Sequence, residues 1–190
     1  MSDKHLVEAA FKLTEALDRV ADTSLPGNLA QIVKLHSRLA VGSALIPIPG
    51  ADIAAATANI WTMYVRINKE SKLPFSENVM KSIGTGMATN LGTGVIGALA
   101  AALLLKLIPI WGTAGGIALM GATIYAVTLA SGIIYMNAIA KLLKKKDVSE
   151  ISDNDLKEAV GKETSDKRAV KDLIKDVKKN AKKEDYQPEE

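Results

Sequence analysis

The chain has 190 residues, with 24 Lys+Arg against 21 Asp+Glu, no cysteine and 4% aromatic residues. That is one domain's worth of chain with room for a tail. The missing cysteine excludes a disulfide scaffold, a thiolate nucleophile and Cys-ligated zinc or iron–sulfur centres. Residues 141–190 hold 14 basic and 13 acidic residues, whereas residues 82–140 hold only Lys106, so two different materials share one chain.

Residues 1–27 form the first unit, an amphipathic helix in which Ser2 and Asp3 can cap and Leu6, Ala10, Leu13, Leu17 and Val20 recur at helical spacing. Thr23 to Gly27 interrupts it, and Asn28 can cap the next helix, which runs through Val33, His36 and Leu39. From Leu39 to Val65 the single charge is Asp52, and Pro47-Ile48-Pro49-Gly50 breaks the run. Proline removes a backbone donor and disfavours helix in its predecessor, so the spacing predicts a helical hairpin over about 29–69. It either spans the bilayer or dips into it.

A second hairpin follows over about 82–140. A bilayer core takes about 20 helical residues, which Ile83–Leu105 and Ile117–Ala140 each supply, joined near Lys106, Pro109 and Trp111. The two hairpins resemble each other, since Leu45-Ile46-Pro47-Ile48-Pro49-Gly50 recurs 62 positions later as Leu107-Ile108-Pro109-Ile110-Trp111-Gly112; either internal duplication or chance among so few residue types accounts for that. Residues 28–143 thus read as a helical membrane domain and 144–190 as a charged helical tail. In the tail, Ser152 opens a Ser-x-x-Asp cap, Gly161 is expected to separate two short helices, and Val170, Leu173, Ile174 and Val177 make an apolar stripe. The fold class is all-α, a helical membrane protein with amphipathic helices at both ends.

Lys and Arg flank the outer ends of both hairpins, and only Lys106 lies at an inner turn. By the positive-inside rule both termini face the cytoplasm. The cluster Lys141, Lys144, Lys145 and Lys146 is placed to hold anionic headgroups, at about 1 kcal/mol per residue. No aromatic residues are interleaved with it for base stacking, which argues against nucleic acid.

Gly92 to Gly97 matches G-x-G-x-x-G, but no acid follows at the spacing a ribose needs, since none occurs between Glu77 and Asp147. Helix packing through small residues is the better reading. Gly86, Asn90, Gly94 and Gly97 on one helix and Ala118, Ala122 and Ala126 on the other provide the close faces, with small faces left over for a homo-oligomer. There is no P-loop, and His5 and His36, the two histidines, have no acid at metal-ligand spacing. No catalytic residue, cofactor or metal site is expected. Asp52, just after Pro47, Pro49 and Gly50, reads either as a helix N-cap or as a functional intramembrane acid. Asn59, Asn90 and Asn137 read as interhelical hydrogen-bonding groups.

The turn Leu45-Ile46-Pro47-Ile48-Pro49-Gly50-Ala51-Asp52, its Ala-rich helix and the Gly-rich pair of spans resemble the YcjF-like family of bacterial helical membrane domains. The resemblance covers roughly residues 28–143. It implies a bacterial inner-membrane location and a GTPase partner in trans, since this sequence contains no GTPase motif, and it supplies no catalytic residues. The expected function is a non-enzymatic membrane scaffold or anchor. A pore-former that stores a colicin-like hydrophobic hairpin is the alternative, and a soluble oligomer that buries the hairpins is a second.

Overall fold

The computed structural model describes residues 3–42, 51–87 and 114–166, and beyond these 168, 171, 172, 175, 176, 179 and 180. The described residues are all-helical, with no strand among them. The elements are α1 (Asp3–Ser24), α2 (Gly27–Val41), α3 (Ala51–Glu70), α4 (residues 77–87), α5 (Ala114–Leu143) and α6 (Asp153–Ser165), with a 3₁₀ turn at Val148–Glu150.

Their directions follow from paired side chains. Asp22 meets Lys34 at 2.6 Å and Asp18 meets Arg38 at 2.9 Å, so α1 and α2 are antiparallel. Asn28 reaches Glu70 and His36 reaches Asn59, making α2 and α3 the antiparallel hairpin that the sequence predicts. Against α5, Val33 faces Gly132 and Val41 faces Gly121, which makes α2 antiparallel to α5 as well. That register puts Arg38 level with Tyr125, and Tyr125 donates to Asp18; α1 therefore runs parallel to α5. The C-terminus of α2 and the N-termini of α3 and α5 meet at one end of the bundle. Helix α4 is antiparallel to α3, with Asn68 on Met80 and Trp61 on Gly84, and it heads toward the same end.

Helix α5 occupies the centre. From Gly121 to Tyr135 every residue except Thr123 and Ile124 is buried, because α1, α2, α3 and α6 all pack on it. Leu17 and Val20 of α1, Val33 of α2, Met63 and Ile67 of α3 and Leu156 of α6 share its core. A helix that is apolar all round needs cover on every side, and each large side chain buried this way contributes about 1.5–3 kcal/mol. Among the described residues one helix, Gly116–Leu143, is long and apolar enough to cross a membrane, and 71% of its most apolar window is buried. The expected span Ile117–Ala140 therefore has protein, not lipid, around most of its length. The amphipathic helices supply that cover.

Three local expectations came out differently. Helix α2 begins at Gly27 after Pro26 in extended geometry, with no side-chain cap, and the Asn28 amide is used on Glu70 instead. Gly161 does not end a helix: α6 runs through it to Ser165. The break falls at Asp166, where the backbone turns extended. Gly86 stands on an exposed face with nothing within 4 Å of where a Cβ would be, while the close approach on α4 is made by Gly84, where a Cβ would stand 3.3 Å from the Trp61 backbone. The α6 cap is as the sequence predicts, since Ser152 Oγ accepts from the Asp155 backbone N–H and the Asp155 carboxylate accepts from that of Ser152.

Candidate functional site

Three interhelical polar clusters tie the helices of the bundle together. The first joins α1, α2 and α5, where the Asp18 carboxylate accepts from the Tyr125 hydroxyl and from the Arg38 guanidinium. Arg38 is held more basic than usual by that carboxylate. Tyr125 is 1% exposed, and a buried phenol needs a partner.

The second ties α2 to α3. His36, 3% exposed, lies with Nδ1 2.9 Å from Asn59 Oδ1 and with Nε2 3.4 Å from Arg66 Nη1. The guanidinium can only donate, so Nε2 accepts and the ring is the neutral tautomer with its proton on Nδ1. Burial lowers the His36 pKa and the neighbouring Arg66 lowers it further, against the opposing bond to Asn59. Asn59 also donates to the His36 carbonyl at 2.6 Å, the interhelical role expected for it.

The third cluster lies deeper. Tyr64 and Tyr135 stack at 4.0 Å between ring centroids, and the Asn68 amide donates to Tyr135 Oη at 2.5 Å and to Met80 Sδ. It couples α3, α4 and α5.

At the opposite end a cleft of about 460 Å³ separates α1 from α5 and α6, lined by Val20, Ile133, Asn137, Lys141, Glu163 and Asp172 among others. Lys141 pairs with Glu163 at 2.5 Å there. Among the described residues no group of three or more His, Cys, Asp or Glu is placed to hold a metal ion.

The sequence-predicted residues fall as follows. Pro47, Pro49 and Gly50, and Asn90, Gly94 and Gly97, lie outside the described residues, as does the tail stripe Val170, Leu173, Ile174 and Val177. Asp52 is the second residue of α3, inside its first turn, where the helix dipole favours a carboxylate; its side chain lies outside the description. Ala122 and Ala126 are buried and Ala118 packs against the core. Lys144 and Lys145 are exposed, and Lys146 is paired with Asp155 at 2.8 Å. The bond from Lys146, together with those from Ser152, holds the Asp155 carboxyl well below the usual carboxylate range.

The Asp18–Arg38–Tyr125 cluster and the Tyr64–Tyr135 stack escape sequence reasoning. Each polar or phenolic residue is visible in the sequence, but its partner is not.

No family model matches the chain, and neither a curated protein nor a solved structure is found to be similar to it.

Proposed function

We propose that the protein is a non-enzymatic, membrane-associated helical scaffold that enters the bilayer through its two apolar segments. The packed base stays in the water, self-associates and presents charged segments to partners. The observation that carries this reading is the convergence of α2, α3 and α5 on one end. From that end run residues 43–50, without a charge, and 88–113, whose single charge is Lys106. Such segments suit hydrocarbon. The outer face of α1, with Glu8, Lys12 and Glu15 exposed, does not, because a charge at membrane depth costs at least about 2.5–3.5 kcal/mol.

The cytoplasm is the natural side for the base by the Lys/Arg asymmetry, and a bacterial inner membrane with a GTPase partner in trans is what the resemblance at the Pro47–Asp52 turn implies. Two of the four headgroup lysines, Lys141 and Lys146, are engaged by Glu163 and Asp155. Lys144 and Lys145 are better placed for lipid or an acidic partner.

A second reading, the pore-former, is favoured by the burial of α5 under charged helices, since that is how a water-soluble bundle would store a membrane-inserting element. One experiment separates them. The chain is purified with and without detergent and mixed with dye-loaded vesicles. Extraction only by detergent with no leakage supports the scaffold. A monodisperse detergent-free protein that releases dye supports the pore, and detergent-free assemblies that leave vesicles intact support a soluble oligomer.

A further inference from the structure

We infer that His36 and Arg66 form a proton-operated release on the seam between α2 and α3: a proton on His36 Nε2 displaces the Arg66 guanidinium, while Asn59 keeps the two helices joined. The device lies among the packed helices and works whether or not the protein enters a bilayer.

Both ring nitrogens are engaged, and by partners of different kinds. Nδ1 lies 2.9 Å from Asn59 Oδ1, and the Asn59 amide also donates to the His36 carbonyl at 2.6 Å, so Asn59 grips ring and backbone together. Nε2 lies 3.4 Å from Arg66 Nη1. In this tautomer Nδ1 carries a proton whether the ring is neutral or charged, so the grip of Asn59 is the same in both states. Nε2 is different. Once protonated it has no lone pair left for the guanidinium, and two donors of like charge then face each other.

One of the two must move, and burial decides which. His36 is 3% exposed and held through both ring and backbone, whereas Arg66 is exposed and reaches the ring from the solvent side. Its guanidinium gives up a single long bond to a neutral acceptor and regains water. Among the described residues no carboxylate stands ready to offset the new charge, and Arg66 is the charge that His36 feels. On α2, Lys34 and Arg38 lie two residues either side of His36 and so on another face of the helix. On α1, Asp18 and Asp22 are bonded to those two, and on α5 Tyr125 is bonded to Asp18. On α3, Lys69 and Glu70 lie toward the start of α2, where Glu70 accepts from Asn28. Burial and Arg66 hold the His36 pKa below the ordinary 6.5 against the bond to Asn59, so the exchange takes place on the acid side of that value. Acidification thus frees the Arg66 guanidinium at the surface of α3 without parting the helices.

An NMR pH titration of the isotope-labelled full chain tests this, with His5, exposed on α1, as the internal reference. Above neutral pH the ring nitrogens of His36 should report the tautomer protonated on Nδ1. On acidification the Arg66 Nε–H signal should move with the same midpoint as the His36 ring, while the side-chain amide signals of Asn59 persist. Arg66→Gln removes the charge at an exposed position. It should raise the His36 midpoint by roughly half a unit to one unit and leave that of His5 where it is.

A neutral His36 ring protonated on Nε2 would overturn the release, and so would an Arg66 signal indifferent to the His36 titration; both are read on the wild-type chain alone. Equal His36 midpoints in the wild type and in Arg66→Gln would overturn it as well. Loss of the Asn59 amide signals in step with His36 would show that the seam itself parts, against the grip assigned to Asn59.

Discussion

The first two turns of α5 and the turns that follow are made of the same small and apolar residues, yet they end in different surroundings. Residues 121–135 are enclosed by four other helices, while Ala114 and Ile117 are exposed and Ala118 is half-buried. The difference lies in the neighbours. Apolar length says that a helix must be covered, and only the amphipathic partners decide whether protein or lipid does the covering.

Replacing one large side chain on each side of that boundary tests the comparison most strongly. Leu129, fully buried, should cost about 2–5 kcal/mol as Leu129→Ala, because a cavity is left in addition to the lost transfer energy. Ile117→Ala should stay within about 0.5 kcal/mol. The urea midpoint of the purified protein reads both, and equal losses would mean that α5 is not divided as described.

Glycines sharpen the same contrast at a smaller scale. A Cβ on Gly132 would meet both γ-methyls of Val33 at 2.7 and 2.8 Å, so Gly132→Ala should cost about 1–3 kcal/mol as α2 is pushed off α5. Gly86 has open space, and Gly86→Ala should gain up to about 1 kcal/mol from helix propensity. A loss at Gly86 measured by thermal melting would show that its exposed face is occupied in solution.

Much of this arrangement is legible in the sequence. Helical spacing finds α1 and the hairpin of α2 and α3, Pro47 and Pro49 announce the break between them, and Ser152 with Asp155 marks the start of α6. What escapes is pairwise. Nothing in the apolar run 117–140 says that Val33 will nest on Gly132, or that Asp18, flanked by Leu17 and Arg19 on a charged helix, will meet Tyr125. Periodicity describes one helix at a time, whereas register is settled between helices. Gly86 and Gly84 lie two residues apart on α4, and the small-residue rows of the sequence choose the exposed one because the position of Trp61 is invisible to them. Gly161 misleads for a similar reason: an exposed glycine costs a helix about 1 kcal/mol, and the contacts of Leu156 and Val160 with the core outweigh it.

The base should also respond to pH through His36. Its folded pKa lies below the ordinary 6.5, chiefly because burial penalises the charged ring. The unfolded chain therefore takes up the proton first as pH falls, and stability rises with pH wherever that holds. Stability is full above 6.5, declines as pH drops from there to the folded pKa, and receives no further change from this group below it. Denaturant melts across this range, compared with His36→Gln, isolate the effect: the variant should show a flatter slope. An unchanged slope would place the proton uptake elsewhere, since the only other histidine, His5, is exposed on α1.

The smallest effect is expected where α3 ends, in the base and far from the apolar end. Leu73 N–H bonds back to the Asn68 carbonyl at 2.9 Å, closing the helix around Lys72, whose φ of 53° lies in the left-handed region. Glycine is the usual residue there, since a Cβ crowds the following carbonyl by roughly 1–2 kcal/mol. Glycine in turn costs about 0.5–1 kcal/mol of extra unfolded-state entropy. The strain term is the larger, so Lys72→Gly should stabilise the base by a few tenths to about 1 kcal/mol. Because α3 enters the apolar end through Ala51 and leaves the base through Glu70, the change should raise the melting midpoint and leave vesicle flotation as it is. A gain in stability accompanied by altered lipid binding would show that the base and the apolar end are coupled through α3, and that the two ends of the bundle cannot be treated separately.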